Sequence, residues 1–164
     1  MLLWYTAGSV FGVANVFQSP GLDYRLVAVG ALLPLLIDLP FGEQAYAHTL
    51  LASIALLVVV MLATAGRGRR LARRRLISLP IGAFFGLVLS AAWRSQEVFL
   101  WPAFGTDFPG QALLPSWPVV LLLEVLGALA LVWVTRRGAL GDADRRQRFV
   151  RTGRLDLVGG AGHP

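Results

Sequence analysis

Residues 113–135, LLPSWPVVLLLEVLGALALVWVT, carry one charged side chain, Glu124. A helix needs about 20 apolar residues to cross a hydrocarbon layer roughly 30 Å thick. In water such a run would have to be covered on every side. The pattern recurs in residues 46–65, YAHTLLASIALLVVVMLATA, and in residues 76–93, LISLPIGAFFGLVLSAAW. Residues 1–17 are charge-free but shorter, and residues 26–38 are shorter still, with Pro34 removing a helix hydrogen bond near the middle. The chain is 56% hydrophobic and 15% charged, whereas soluble domains are about 25% charged. These runs predict an all-α fold, a polytopic integral membrane helix bundle of four to five transmembrane helices. Residues 26–38 either span or re-enter.

All fifteen basic residues are arginine, and they sit at the ends of apolar runs. Six fall in residues 67–75, Arg136 and Arg137 close the last run, and five more follow in the tail. Cytoplasmic loops are the arginine-rich ones, so both regions are expected in the cytoplasm, with the amino terminus outside and the carboxyl terminus inside. Residues 94–112 then form an outer loop whose one basic residue is Arg94. Trp4, Trp93, Trp101 and Trp117 all fall near the outer interface, as an aromatic belt requires. The first residues lack the basic n-region and cleavage site of a signal peptide, so they read as a retained span. The expected location is the cell (cytoplasmic) membrane, multi-pass. Residues 138–164 read as a basic cytoplasmic tail, solvated or lying as a surface helix on anionic lipid. Topology accounts for the net charge of +6, and no nucleic-acid motif is present, so no nucleic-acid partner is expected. With no cysteine there is neither a disulfide nor a thiolate ligand.

On this topology several polar groups share the outer half of the bundle. Asp38 closes one apolar segment and His48 opens the next. Glu124 lies six residues past Pro118, about 9 Å into its helix. Ser90 lies near the same level, and Glu43 and Glu97 lie in the outer loops. Ionisable groups at membrane depth usually face a bundle interior or a wet cavity. Asp38, His48, Ser90 and Glu124 are therefore expected to converge. The bland alternative makes Asp38 and His48 interfacial helix ends and Glu124 a packing residue. Gly8 with Gly12, and Gly82 with Gly86, have the GxxxG spacing that lets helices approach closely.

The stretches GALLPLLIDLPFG, AHTLL, LPIGAFFGLVLSAAW and VFLWPAFG resemble, in order, the membrane-bound metal-dependent hydrolases of the YdjM type, in particular their compact actinobacterial branch. The resemblance runs from about Trp4 to Arg154. It matches Asp38 to the second aspartate of the family's first motif. It matches His48 to a histidine preceding Ser or Thr, and Trp101–Pro102 to an outer-loop pair. The first aspartate falls on Leu35, and a helical histidine–aspartate pair falls on Gly86 and Ser90. The resemblance therefore implies a family scaffold whose divalent-metal centre, zinc for instance, retains two ligands, Asp38 and His48. Three protein ligands and an open position are usual for catalytic zinc.

Three functions compete. The first is a non-catalytic membrane protein that binds a lipid or a membrane-protein partner. The second is a metal-dependent hydrolase acting on a membrane-proximal ester or phosphoester, with Glu124, Glu43 or Glu97 completing the site. The third is a small channel or proton-coupled carrier with Glu124 as relay.

Overall fold

The structure is a computed structural model that describes all residues except 18, 20, 67, 139 and 156–164. Its described residues form helices and no named strand. Helix α1 covers Leu2–Phe17, α2 Tyr24–Asp38, α3 Leu50–Ala63, α4 Arg70–Leu76 and α5 Ser78–Leu89. Then come α6 at Gln96–Phe99, α7 at Trp117–Arg137 and α8 at Ala143–Thr152. Helix α2 runs through Pro34 and continues in a 3-10 turn over Leu39–Phe41.

Two stretches, Tyr24–Phe41 and Trp117–Arg137, are long and apolar enough to cross a membrane. Helix α1 covers nearly all of its expected run, whereas α3 and α5 are shorter than theirs, because Tyr46–His48 and Ala92–Arg94 form 3-10 turns and Leu76 belongs to α4. Much of the apolar surface stays uncovered. Leu122, Val125 and Leu129 of α7 are exposed, as are Val58, Val59 and Leu62 of α3. Water-soluble monomers rarely leave contiguous apolar surface of this extent.

Glycines set how the helices meet. A Cβ on Gly82 would overlap the Val27 carbonyl, one on Gly86 the Ala31 carbonyl, and one on Gly30 the Leu79 carbonyl. Helices α2 and α5 therefore run parallel with their backbones in contact, and the Gly82/Gly86 pair is the seam. Helix α1 is parallel to α7. The backbone of Leu3 and Trp4 fills the space beside Gly127, and Phe11 packs edge-on against Trp133 at 4.7 Å between ring centroids. Gly8 and Gly12 receive the side chains of Leu89 and Phe85 of α5. The apolar core unites Val10, Val13 and Ala14 of α1 with Val27 of α2, Val134 of α7 and Leu155.

Leu155 belongs to the tail, which is not simply solvated as far as it is described. Helix α8 folds back onto the start of α2. The Tyr24 N–H donates to Gly153 O at 2.8 Å, and the Arg25 guanidinium donates to Val150 O. Gly153 has φ 70°, and the Asp23 carboxylate occupies the place its Cβ would take. Asp23 is buried and caps α2. It accepts from the Arg25 backbone N–H at 3.2 Å, from Arg25 Nε at 3.1 Å and Nη2 at 3.0 Å, and from Arg75 Nη2 at 3.1 Å. Its own N–H donates to Ser78 Oγ at 2.9 Å. One residue thus ties α2 to α4, α5 and α8.

Burial alone pushes the Asp23 carboxyl up, but the bonds from Arg25 and Arg75 outweigh it and hold it below the usual aspartate range. A depressed folded pKa stabilises the fold above the unfolded value of about 3.9. That contribution is lost as pH falls through the lower folded value. Thermal melts in mild detergent should therefore show the wild type losing stability below about pH 4, while Asp23→Asn melts lower at pH 7 and loses less on acidification. Identical acid limbs would show that Asp23 is not the hub.

Candidate functional site

Asp38 and His48 do meet. Asp38 ends α2 and is fully buried; His48 ends a 3-10 turn, Tyr46–His48, just before α3 and is also fully buried. Ten residues of chain fold around the carboxylate. The turn Leu39–Phe41 closes on Gly42, whose φ of 72° takes the left-handed conformation natural to glycine. The chain then runs extended beside the loop that precedes α7. Gln44 N–H donates to Gln111 O at 2.8 Å, and Glu43 and Ala112 form an isolated antiparallel bridge. Thr49 starts α3 as its N-cap, accepting from Ala52 N–H at 3.0 Å.

The carboxylate of Asp38 takes four donors. Oδ2 accepts from Ala45 N–H at 2.8 Å, His48 N–H at 3.1 Å and the His48 ring Nδ1 at 2.7 Å. Oδ1 accepts from Ala47 N–H at 3.1 Å. A carboxylate offers about four lone-pair sites. Asp38 is therefore filled by its own loop, and its geometry is that of a group orienting His48 rather than of a second metal ligand beside it. With Nδ1–H donating, Nε2 of a neutral ring carries the lone pair. Nε2 is buried and has no hydrogen-bond partner, as are Gln44 Oε1 and Gln111 Oε1.

The expected convergence of the other polar groups does not occur. Among the described residues no three His, Asp or Glu side chains cluster so as to hold a metal ion. Glu124 binds the first turn of α1. It accepts the Leu3 N–H at 3.1 Å and pairs with the Met1 amine, a favourable place for an anion at a helix N-terminus. Ser90 Oγ donates to Leu87 O at 2.8 Å, within its own helix. Glu97 is exposed in the first turn of α6. Leu35 is buried with Tyr5 and Leu113 in a small apolar cluster. Gly86 lies against the backbone of α2.

Above the pair sits an aromatic group. Tyr46 packs edge-on against Trp101 at 5.5 Å and Phe108 at 4.9 Å between centroids, and Trp101 stacks on Phe108 at 5.9 Å. This group covers the loop that carries His48. Gln44, Gln111 and the hub Asp23 escape sequence reasoning. The only signal for Asp23 is its place before an apolar run, the usual position of an N-cap.

Removing the Asp38 side chain would leave three buried N–H groups and a buried imidazole unpaired, a loss of about 3–5 kcal/mol. Asp38→Ala should lower the unfolding midpoint in detergent and speed hydrogen exchange at Ala45, Ala47 and His48. His48→Ala removes one of the four donors and should cost clearly less. Equal effects of the two substitutions would show that the loop does not depend on Asp38.

No model of a known protein family, no curated protein and no solved structure matches the chain.

Proposed function

We propose that this chain is a multi-pass protein of the cell membrane whose bundle serves binding or structure rather than catalysis. In this reading α1, α2, α3, α5 and α7 all cross the bilayer, with the amino terminus outside and the arginine-rich ends inside. The exposed apolar faces support it, as do the parallel pairing of α1 with α7 and of α2 with α5, which an alternating five-pass path requires. The scaffold is that of the YdjM-type hydrolases without a complete metal centre. The observation that carries this is Gly86. The backbone of α2 stands where a side chain at position 86 would project, so the seam that holds the bundle together excludes a ligand there. Leu35, in its apolar cluster, offers no ligand at the other substituted position.

A second reading keeps metal-dependent hydrolysis, and one observation favours it: the buried, unpartnered Nε2 of His48, held by Asp38 in the carboxylate–histidine arrangement that often supports a metal ligand. Metal analysis separates the two. Protein purified in mild detergent without chelator or histidine tag should hold far less than one zinc, manganese or iron per chain. It should also leave aryl phosphate and carboxylate esters intact. Near-stoichiometric metal that His48→Ala abolishes would establish the hydrolase reading. Gly86→His should not create a site. It should force α2 and α5 apart and lower stability by about 1–3 kcal/mol, as overpacking does.

Topology is directly testable because the chain has no cysteine. A cysteine at Ala103 should react with an impermeant maleimide in intact cells, and one at Gly141 only after permeabilisation. The reverse pattern would invert the proposed orientation.

A further inference from the structure

Between the end of α1, one face of α3 and the start of α5 lies an apolar groove of about 470 Å³. Phe17, Ile54, Leu57, Ile81 and Phe84 line it, and Ser53 is its one polar side chain. No other part of the described chain fills it. Its volume and apolar lining suit a hydrocarbon chain.

One end of the groove leads to arginine. Ile77 N–H donates to Arg73 O at 3.0 Å, and Ile81 N–H to Ile77 O at 3.3 Å, so the α5 wall, which starts at Pro80 and Ile81, begins about two helical turns past Arg73. On the α1 side, Gly21 follows Phe17 by four residues, and the Arg74 guanidinium occupies the space beside Gly21 where a Cβ would stand. Arg73 Nη2 donates to Thr64 O at 3.0 Å at the end of α3, while its Nε is buried without a partner. Asp23, the nearest carboxylate, is filled by Arg25 and Arg75. Among the described residues neither Arg73 nor Arg74 forms a salt bridge. Two cations, one with a buried donor lacking an acceptor, thus lie beyond one end of a hydrocarbon-lined groove, about two helical turns from its α5 wall.

We propose that the α1/α3/α5 groove binds one anionic phospholipid, with an acyl chain between Phe17, Leu57 and Ile81 and the phosphate on Arg73 and Arg74. Guanidinium and phosphate form strong charge-assisted bonds, and burial of the chain supplies apolar area that the headgroup contact alone lacks. The proposal rests on the membrane reading above, which fails separately in the cysteine-labelling experiment.

Native mass spectrometry of the delipidated full chain, titrated with phosphatidylglycerol or phosphatidylcholine of identical acyl chains, tests it. Wild type should retain the first lipid of the anionic kind at least five-fold more than the neutral one. Arg73→Gln with Arg74→Gln should bring the two to equal retention. Ile81→Trp, or Ser53→Leu if that variant melts early, fills the groove and should reduce both lipids. Inorganic phosphate should not displace bound phosphatidylglycerol. Three outcomes would each overturn the proposal. These are equal retention by wild type, an anionic preference that survives both glutamines, and retention that neither groove-filling substitution reduces. Full displacement by inorganic phosphate would assign the arginines to a free anion instead.

Discussion

Helix α2 is bracketed by two buried aspartates, and the rest of the bundle is arranged around them. A helix in an apolar medium must have its end groups satisfied from within the protein, because no water is present to do so. At its start Asp23 collects the Arg25 backbone and guanidinium together with Arg75. At its end Asp38 collects three backbone N–H groups and the His48 ring. The two carboxylates are matched in burial and opposite in partners. One takes cations, Arg25 of its own helix and Arg75 of α4, and so fixes a tertiary contact. The other takes neutral donors from the following ten residues and so fixes a loop.

That difference follows from what α2 packs against. Its middle is occupied by the glycine seam with α5, where Gly30, Gly82 and Gly86 bring backbones together. A seam without side chains gains dispersion and close carbonyl contacts but leaves no room for a polar group between the helices. Polar chemistry is pushed to the two ends of α2. The seam therefore both stabilises the bundle and excludes a ligand at position 86. The chain thus keeps Asp38 and His48 together while, among the described residues, no third His, Asp or Glu joins them.

What the sequence revealed and what it hid divide along the same line. The apolar runs, the Gly82/Gly86 spacing and the meeting of Asp38 with His48 were legible, because each depends on residues close in the chain or on a single helix face. The role of Asp23 was not, since Arg75 and Ser78 lie more than fifty positions away. Nor was the docking of α8, which depends on Gly153 leaving room for the Asp23 carboxylate. Glu124 was read from depth alone, as a relay, a packing residue or a third metal ligand. Its partner, the first turn of α1, follows only from the parallel packing of α1 on α7 across Gly127. Depth within one helix does not fix which face meets which neighbour, so four polar groups expected to converge went to three separate places.

The two ends of the bundle also differ in what remains unpaired. At the His48 end the polar atoms without partners are buried: Nε2 of His48 and the Gln44 and Gln111 carbonyl oxygens. At the other end the single carboxylate of Asp23 pairs with both Arg25 and Arg75, and the further arginines of α4 and α8 outnumber the described carboxylates available to them. Guanidinium stays charged at any physiological pH, so this end is permanently cationic. The docking of the tail and the clustering of arginines at this end thus share one electrostatic setting. The chain concentrates charge where Asp23 already needs cations to close α2, and arginines in excess of that need, Arg73 and Arg74 among them, have no carboxylate partner among the described residues.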